Sequence, residues 1–512
     1  MRPYSAALFA LMSCLSTACV DICDVAHCNA GYGGAGGAGG ATTSTAGGNV
    51  GGAGGDGGGL PTDCTPSEGV AIPATCGVFV KSGASGDGSQ ASPFGSVVEA
   101  STNLGGAKAI YICGGDTFTG SVEVAGGVSI FGGLDCASWE YAKSAAHPKL
   151  VGDADVPALK ISGAGSSALL SIAVESPSAV AAGASSIALL VSDATVDLDE
   201  SDLKAADGAN GAMPPAPLSQ ASAAQAGMMG ANAGSTPANA DAGDNTCGAT
   251  PLSGGLGGEG GDHTKAIKDG GNGAQGDAGA GGLPGTGEGA TAWSCVPGQG
   301  LGVGGTNGMA GPIGAGAISL GSLTPDGFTP ATGDPGQPGE HGTSGGGGGG
   351  SKATSTTHGA GGGGGGAGGC GGAGGVPGAG GGSSFALVSL SATVTMTSDV
   401  VLHVGAGGDG GQGGPGQFGQ PGGAVGAGGT GAGAVVDACS GGKGGAGGAG
   451  GNAGGGRGGH AIAIAYTGTA PTGGTPDLTA ALAGAGGPGG DNTLEPGGTG
   501  GVGVTAPSQE FP

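Results

Sequence analysis

Basic residues are scarce: 12 lysines and arginines stand against 37 aspartates and glutamates, a formal net charge of −25 over 512 residues. A surface of that sign repels phosphate backbones, which argues against nucleic acid as a partner and disfavours anionic lipid headgroups. It leaves a cation, a neutral glycan, or a divalent ion bridging to an acidic glycan as compatible ligands. Charged residues are only 10% of the chain, and aromatics amount to nine Phe, five Tyr and two Trp. Beyond the N-terminus no apolar run approaches the length needed to cross a bilayer. Zinc-ligand spacing is missing too: the seven histidines (27, 147, 263, 341, 358, 403 and 460) are scattered through loops and glycine tracts. His403 and His460 flank apolar runs and read as ordinary surface positions. No metal or cofactor is expected.

What is present begins with Met1-Arg2-Pro3-Tyr4 and a short apolar stretch, Ser5 to Ser13, that carries no acid. These are the n- and h-regions of an export signal, too short for a permanent span. Leu15-Ser16-Thr17-Ala18-Cys19 then resembles a bacterial lipoprotein cleavage site, with Cys19 as the lipidated residue. Leu11-Met12-Ser13-Cys14 is a rival, and an ordinary secretory cut after Ala18 is a third reading. The 12 cysteines favour Cys19. Losing Cys14 with the signal and lipidating Cys19 leaves ten, an even set that can all pair: Cys23, Cys28, Cys64, Cys76, Cys113, Cys136, Cys247, Cys295, Cys370 and Cys439. The expected location is the cell envelope, lipid-anchored, at the outer membrane or cell surface, with the membrane contacted through that lipid.

Glycine is 138 of 512 residues, against average usage of roughly 7%. It is unevenly spread. Residues 19–63 read as a flexible tether. From Gly77 to Tyr141 lie Phe79, Phe94, Tyr111, Phe118, Phe131, Trp139 and Tyr141, where a core can start. Short β-type runs follow: Val78–Val80, Ala109–Ile112, Ser121–Val124, Val128–Phe131, Leu169–Val174 and Ile187–Val191. Ser92-Pro93 predicts a helix running toward Leu104 and ending at Gly105-Gly106. Some runs recur at about twenty residues, the scale of one coil in a stacked solenoid. Ser185–Val196 also aligns without gaps to Ser383–Val394, sharing Ser185, Ser186, Ala188, Leu189, Ala194, Thr195 and Val196 with their counterparts. A weaker third copy starts at Ser166-Ser167.

Asp87-Gly88-Ser89, Ser92-Pro93-Phe94, Ala109-Ile110-Tyr111-Ile112-Cys113-Gly114-Gly115 and Gly127 to Cys136 with Trp139 resemble the opening coils of pectin-lyase-like right-handed parallel β-helices. Gly458-Gly459-His460-Ala461-Ile462-Ala463-Ile464-Ala465-Tyr466-Thr467-Gly468 resembles the end of glycine-rich surface lipoproteins of the myxobacterial PGRS-like type. The resemblance implies an all-β fold, a right-handed parallel β-helix with long glycine-rich insertions. Its parts are a signal peptide at 1–18, the tether at 19–63, N-terminal β-helix coils at 64–205, an insertion at 206–382, a rung at 383–405, a second insertion at 406–458, a rung at 459–483 and a glycine-rich tail at 484–512. Connectivity among the cysteines stays open, and nearest-neighbour pairing is the expectation: 23–28, 64–76, 113–136, 247–295 and 370–439. The insertions repeat in threes, with Gly333, Gly336, Gly339, Gly342 and Gly345 in register. They are either disordered or packed as polyproline-II-like glycine strands against the coils.

Two motifs invite chemistry. Gly342-Thr343-Ser344-Gly345-Gly346 matches a nucleophile elbow, but no strand precedes it, so a serine-hydrolase reading fails. Asp193, Asp197, Asp199, Glu200 and Asp202 form the best acid/base or calcium candidate. Asp197 and Asp199 alternate with Val196 and Leu198, which places them on an outer face, and the second copy replaces them with Thr395 and Thr397. A solvated face is the simpler account, and no catalytic residue is assigned. The expected function is a non-catalytic surface lipoprotein with a structural, adhesive or matrix-contact role, touching extracellular polysaccharide or matrix. The alternative is a polysaccharide lyase or glycoside hydrolase of the pectin-lyase-like fold.

Overall fold

The computed structural model describes residues 60–512 except 215–218, 278–279, 290–291 and 493–494. The signal segment, Cys19, Cys23, Cys28 and the tether up to residue 59 lie outside the described residues. The regular elements of the described chain are nearly all β-strands, with one short α-helix, Val97–Thr102, and a single 3-10 turn, Thr62–Cys64. That helix starts later than the sequence predicts. Ser96 is its N-cap, the hydroxyl accepting from the Glu99 N–H at 3.1 Å. Ser92-Pro93-Phe94 is held extended instead, because the Phe94 N–H bonds to the Phe79 carbonyl at 2.9 Å and its ring is buried.

Three six-stranded parallel sheets carry the fold. The first contains Val78–Val80, Ala109–Cys113, Ser129–Leu134, Ser166–Leu170, Thr195–Asp199 and Thr393–Met396. The second contains Val122–Ala125, Leu159–Ser162, Ser186–Ser192, Ser384–Leu390, Ala461–Thr467 and Thr505–Glu510. The third contains Thr117–Thr119, Lys149–Val151, Ala173–Ser176, Asp202–Ala205, Val401–Val404 and Thr475–Asp477. From Ala109 onward the chain passes from first to third to second sheet and returns to the first. Alternation decides what faces inward: in Val122–Ala125 the two valines are buried and Glu123 and Ala125 exposed. The interior is aliphatic, built from residues such as Ile110, Ile130, Leu159, Ile161, Val174, Leu189, Leu203, Leu387 and Leu402.

The internal duplication is a stacking register. Ser186 pairs with Ser384, Leu189 with Leu387 and Thr195 with Thr393, the same offset as the sequence alignment. The weaker copy is shifted: Ser166 lies beside Thr195 rather than Ser186, so it belongs to the first sheet. Aromatic residues mostly pack outside the sheets. Phe79, Tyr111, Phe131, Trp139 and Tyr141 cover the outer face of the first sheet, while Phe94 and Phe118 alone of the seven enter the interior. Cys64–Cys76 and Cys113–Cys136 lock that cover.

Residues 206–382 and 406–458 are ordered without being mainly strand or helix. Their backbone repeats every three residues, the period of a polyproline II helix, which makes no hydrogen bonds to itself. The bonds go to neighbouring segments. Gly339, Gly342 and Gly345 donate to the carbonyls of Gly372, Gly369 and Gly366, each at 2.9 Å. Gly366, Gly369 and Gly372 donate to Gly442, Gly445 and Gly448 at 2.9–3.0 Å. Gly442, Gly445 and Gly448 return to Gly346, Thr343 and Glu340 at 2.7–2.9 Å. Segments 333–351, 360–382 and 441–459 thus bond one another in a closed triangle, with further segments outside them. The lattice grows out of the sheets: Gly378, Gly381 and Ser384 donate in one unbroken series to Gly454, Arg457 and His460. At roughly 3.1 Å per residue, segment 360–382 alone spans about 70 Å.

Two expected disulfides are corrected. Cys247 pairs with Cys370 and Cys295 with Cys439, not Cys247 with Cys295 and Cys370 with Cys439. The lattice is the reason. Gly243 donates to Gly365 at 2.9 Å, which lays the hairpin Asp244–Cys247/Thr250–Ser253 along the segment that carries Cys370. Cys439 donates to Gly349, whose own N–H bonds to Gly300 in the loop that carries Cys295. The tail also ends in order, since Thr505–Glu510 adds a strand beside Ala461–Thr467.

Candidate binding groove on the third sheet

The third sheet turns one residue row inward and its neighbours outward. Leu150, Val174, Leu203 and Leu402 align in register and are fully or almost fully buried. One step along, Glu175, Lys204, His403 and Asp477 align across four strands. One step the other way lie Lys149, Ala173, Asp202, Val401 and Thr475. Parallel stacking therefore converts four residues spread over 300 positions of sequence into a charged ladder of acid, base, imidazole and acid. The ladder lines a groove of ≈ 620 Å³ together with Lys149, Asp202, Asp207, Thr479 and short aliphatic neighbours, a size typical of small-molecule sites.

Its charges are mostly paired. Lys149 Nζ meets Glu175 Oε1 at 2.8 Å and His403 Nδ1 meets Asp477 Oδ2 at 2.8 Å. Asp207 accepts from the Ala406 N–H at 2.7 Å. The hydroxyl and N–H of Thr479, followed by His403, hold the Asp477 carboxyl below the usual carboxylate range, the reverse of what a general acid requires. Lys204 has no carboxylate within ion-pair distance among the described residues. No Phe, Tyr or Trp lines the groove, so a sugar here would be held mainly by hydrogen bonds and charge, with the His403 ring as the one surface for stacking.

The acidic stretch singled out in the sequence is dispersed. Asp193 sits at a corner with φ of 56°. Asp197 and Asp199 project from the first sheet, as the alternation implies, and accept hydrogen bonds from Thr395 on the neighbouring parallel strand and from Thr397 just beyond it. Glu200 is enclosed by Lys143 at 2.5 Å, Tyr141 at 2.8 Å and Ser171 at 3.2 Å. Burial pushes its carboxyl up, but Lys143 and Tyr141 outweigh it and the net displacement is downward. Burial in turn raises the Tyr141 hydroxyl to about 12. Only Asp202 reaches the groove, where His147 stands 3.8 Å away. Ser344 of the elbow-like motif is buried, donates to Asp277 at 2.6 Å and accepts from the Gly368 N–H at 2.8 Å, so it serves the lattice.

Sequence reading missed Glu175, Lys204, His403 and Asp477 as one set. Extending the Ser185/Ser383 duplication past its end, with one extra residue in the second copy, brings His403 beside Lys204. His460, expected at the surface, is 1% exposed between Phe328 and Phe511. Among the described residues no helix is long and apolar enough to cross a membrane. No protein-family model, curated protein or solved structure matches the chain.

Proposed function

We propose that this chain is a non-catalytic surface lipoprotein of the PGRS-like type, a right-handed parallel β-helix of the pectin-lyase-like kind extended by its glycine lattice. In this reading a lipid on Cys19 tethers it to the envelope, at the outer membrane or cell surface. The groove on the third sheet contacts extracellular polysaccharide or matrix.

The observation that carries this reading is the lattice. Long stretches of chain are committed to hydrogen-bonded glycine segments whose contacts are backbone against backbone. That arrangement supplies length and rigidity, and its glycine-to-glycine contacts are made without side chains. The groove agrees, because its histidine and its four acids, Glu175, Asp202, Asp207 and Asp477, each meet an ion-pair or hydrogen-bond partner. A second reading, a carbohydrate-active enzyme, rests on one specific feature: Lys204, without an ion-pair partner among the described residues, stands in register between Glu175 and His403. A lyase needs a base in such a place and acids beside it to hold calcium.

One experiment separates the two. The full chain carrying Cys19→Ser is incubated with neutral and acidic polysaccharides, with and without calcium, and both co-sedimentation and new reducing ends are followed. Binding without release, weakened by Lys204→Ala, supports adhesion. Release abolished by Lys204→Ala makes the protein an enzyme. Neither binding nor release would overturn the groove's role altogether. Cell fractionation of wild type and Cys19→Ser checks the anchor: the variant should leave the membrane fraction.

A further inference from the structure

We propose that Asp262, His263 and His358 form a binding site for a late first-row divalent metal ion, with Zn²⁺ as the fitting representative. The site lies at the end of the glycine lattice remote from the three sheets. There segment 254–261 turns back through 262–269, and segment 333–351 turns back through 352–358. Gly261 donates to Ser351 at 2.8 Å and Gly359 donates to Gly261 at 2.9 Å. These two bonds fix the turns side by side and bring together residues 95 positions apart in sequence.

The three side chains converge closely enough to share one ion. The ligand atoms of the three side chains lie within 4.8 Å of one another. Asp262 Oδ1 and His358 Nδ1 are 3.4 Å apart. Metal–ligand bonds of about 2.0–2.1 Å at tetrahedral angles give an edge of roughly 3.3–3.4 Å. The two imidazoles stand 4.0 Å apart, centre to centre, with their planes at 67°, so they do not stack face to face.

Two further observations point to a cation. The backbone N–H of His263 points at His358 Nδ1 from 3.3 Å, a long bond to the unprotonated nitrogen that a metal ion on the same lone pair would replace. Asp262 Oδ1 faces the same nitrogen from 3.4 Å, a pair of donor atoms that a proton or a metal ion placed between them would join. Independently, His263 Nδ1 is shielded from solvent and has no hydrogen-bond partner. Buried polar atoms are nearly always satisfied, and a bond to a metal ion would satisfy this one. Thr264 orients Asp262 by donating to Oδ1 from its N–H at 2.9 Å and from its hydroxyl at 2.7 Å, while the exposed Lys265 ammonium stands 3.7 Å from Oδ2 and would compete with a metal ion for this carboxylate.

Two nitrogens and one oxygen suit Zn²⁺, Co²⁺ or Ni²⁺ rather than Ca²⁺ or Mg²⁺, which take oxygen shells. Three protein ligands leave one position of a tetrahedral ion open for water or an outside donor. The ion would clasp the two turns together.

The test uses the full chain without a purification tag. Equilibrium dialysis against Zn²⁺ is expected to yield a saturable site, one equivalent of which depends on these residues. The double variant His263→Ala/His358→Ala should lose that equivalent, with affinity falling at least roughly tenfold. His341→Ala, outside the cluster, should keep it. Equal binding by wild type and double variant overturns the proposal, as does the absence of saturable binding. Should the double variant misfold, Co²⁺ bound to the unmutated chain decides. Intense visible bands of a low-coordinate site support the proposal, and the weak spectrum of the hydrated ion overturns it.

Discussion

An alanine at position 371 would place its Cβ 1.9 Å from the Gly339 carbonyl oxygen, and one at 374 would stand as close to that of Gly336. The obstacle is backbone on both sides, so no side chain can swing away. Gly371→Ala should therefore cost at least the ~1–3 kcal/mol typical of overpacking. Gly289→Ala, whose Cβ meets nothing nearer than an Asp269 carboxylate oxygen at 3.8 Å, should be neutral or slightly stabilising. Chemical denaturation of the two variants checks this, and equal stabilities would contradict the lattice register. His460 gives a second residue-level prediction. Its Nδ1 accepts from the Val504 N–H at 2.9 Å and its Nε2 meets the Leu320 carbonyl at 2.8 Å, so the ring is neutral with the proton on Nε2. Burial lowers its pKa, with nearby Arg457 adding to the effect against the Leu320 bond. A histidine lowered on folding takes up its proton more readily when unfolded. Its contribution is thus complete above about pH 6.5 and is lost as pH falls toward the folded value. Wild type should lose more stability between pH 8 and pH 5 than His460→Gln, by urea midpoint. An identical pH dependence would show that the ring does not titrate with folding.

Strands were legible where short apolar runs lie between turn residues. Ser186–Ser192 and Ser384–Leu390 share a register that the duplication of Ser185 and Ser383 already contains. The glycine triplets likewise announce a three-residue period, and with it the chance of a packed lattice. What could not be read is which segment lies beside which. A glycine offers neighbours only an N–H and a carbonyl, so one Gly-Gly-X run is indistinguishable from another as a partner. The same gap produced the wrong disulfides, since proximity in sequence was the only guide to Cys247 and Cys370. Asp262 and His358 escaped notice for this reason too, being carried on turns that only the lattice brings together. Peptide mapping under non-reducing conditions should recover Cys247 joined to Cys370 and Cys295 to Cys439. These bridges close 123 and 144 residues of sequence, and removing either pair as Cys→Ala should cost about 2–4 kcal/mol. Recovery of a Cys247–Cys295 peptide would refute the segment order.

Taken whole, the described chain contains two kinds of interior. Between the sheets, aliphatic side chains leave water as in any folded domain, with Leu159, Leu189 and Leu203 completely buried. In the lattice the buried surface is largely peptide groups, as at Gly345–Gly350 and Ala360–Gly369, where nearly every residue is buried and none is larger than alanine. The two interiors differ in heat capacity. Exposing apolar surface on unfolding raises it by roughly 0.45 cal/mol/K per Å², whereas exposing polar surface lowers it by roughly 0.26. Peptide-rich burial in the lattice must therefore offset part of the increment from the sheets. Calorimetry should give a heat-capacity change of unfolding, per residue, below the roughly 12–15 cal/mol/K of ordinary globular proteins. The stabilising weight then falls on hydrogen bonds, whose net worth is only about 0.5–1.5 kcal/mol each but which recur along every lattice segment. A heat-capacity change at or above the ordinary value would mean that the lattice buries apolar surface after all, or that little of it melts in the transition. A low value would identify backbone pairing, rather than a hydrophobic core, as what keeps this part of the molecule straight.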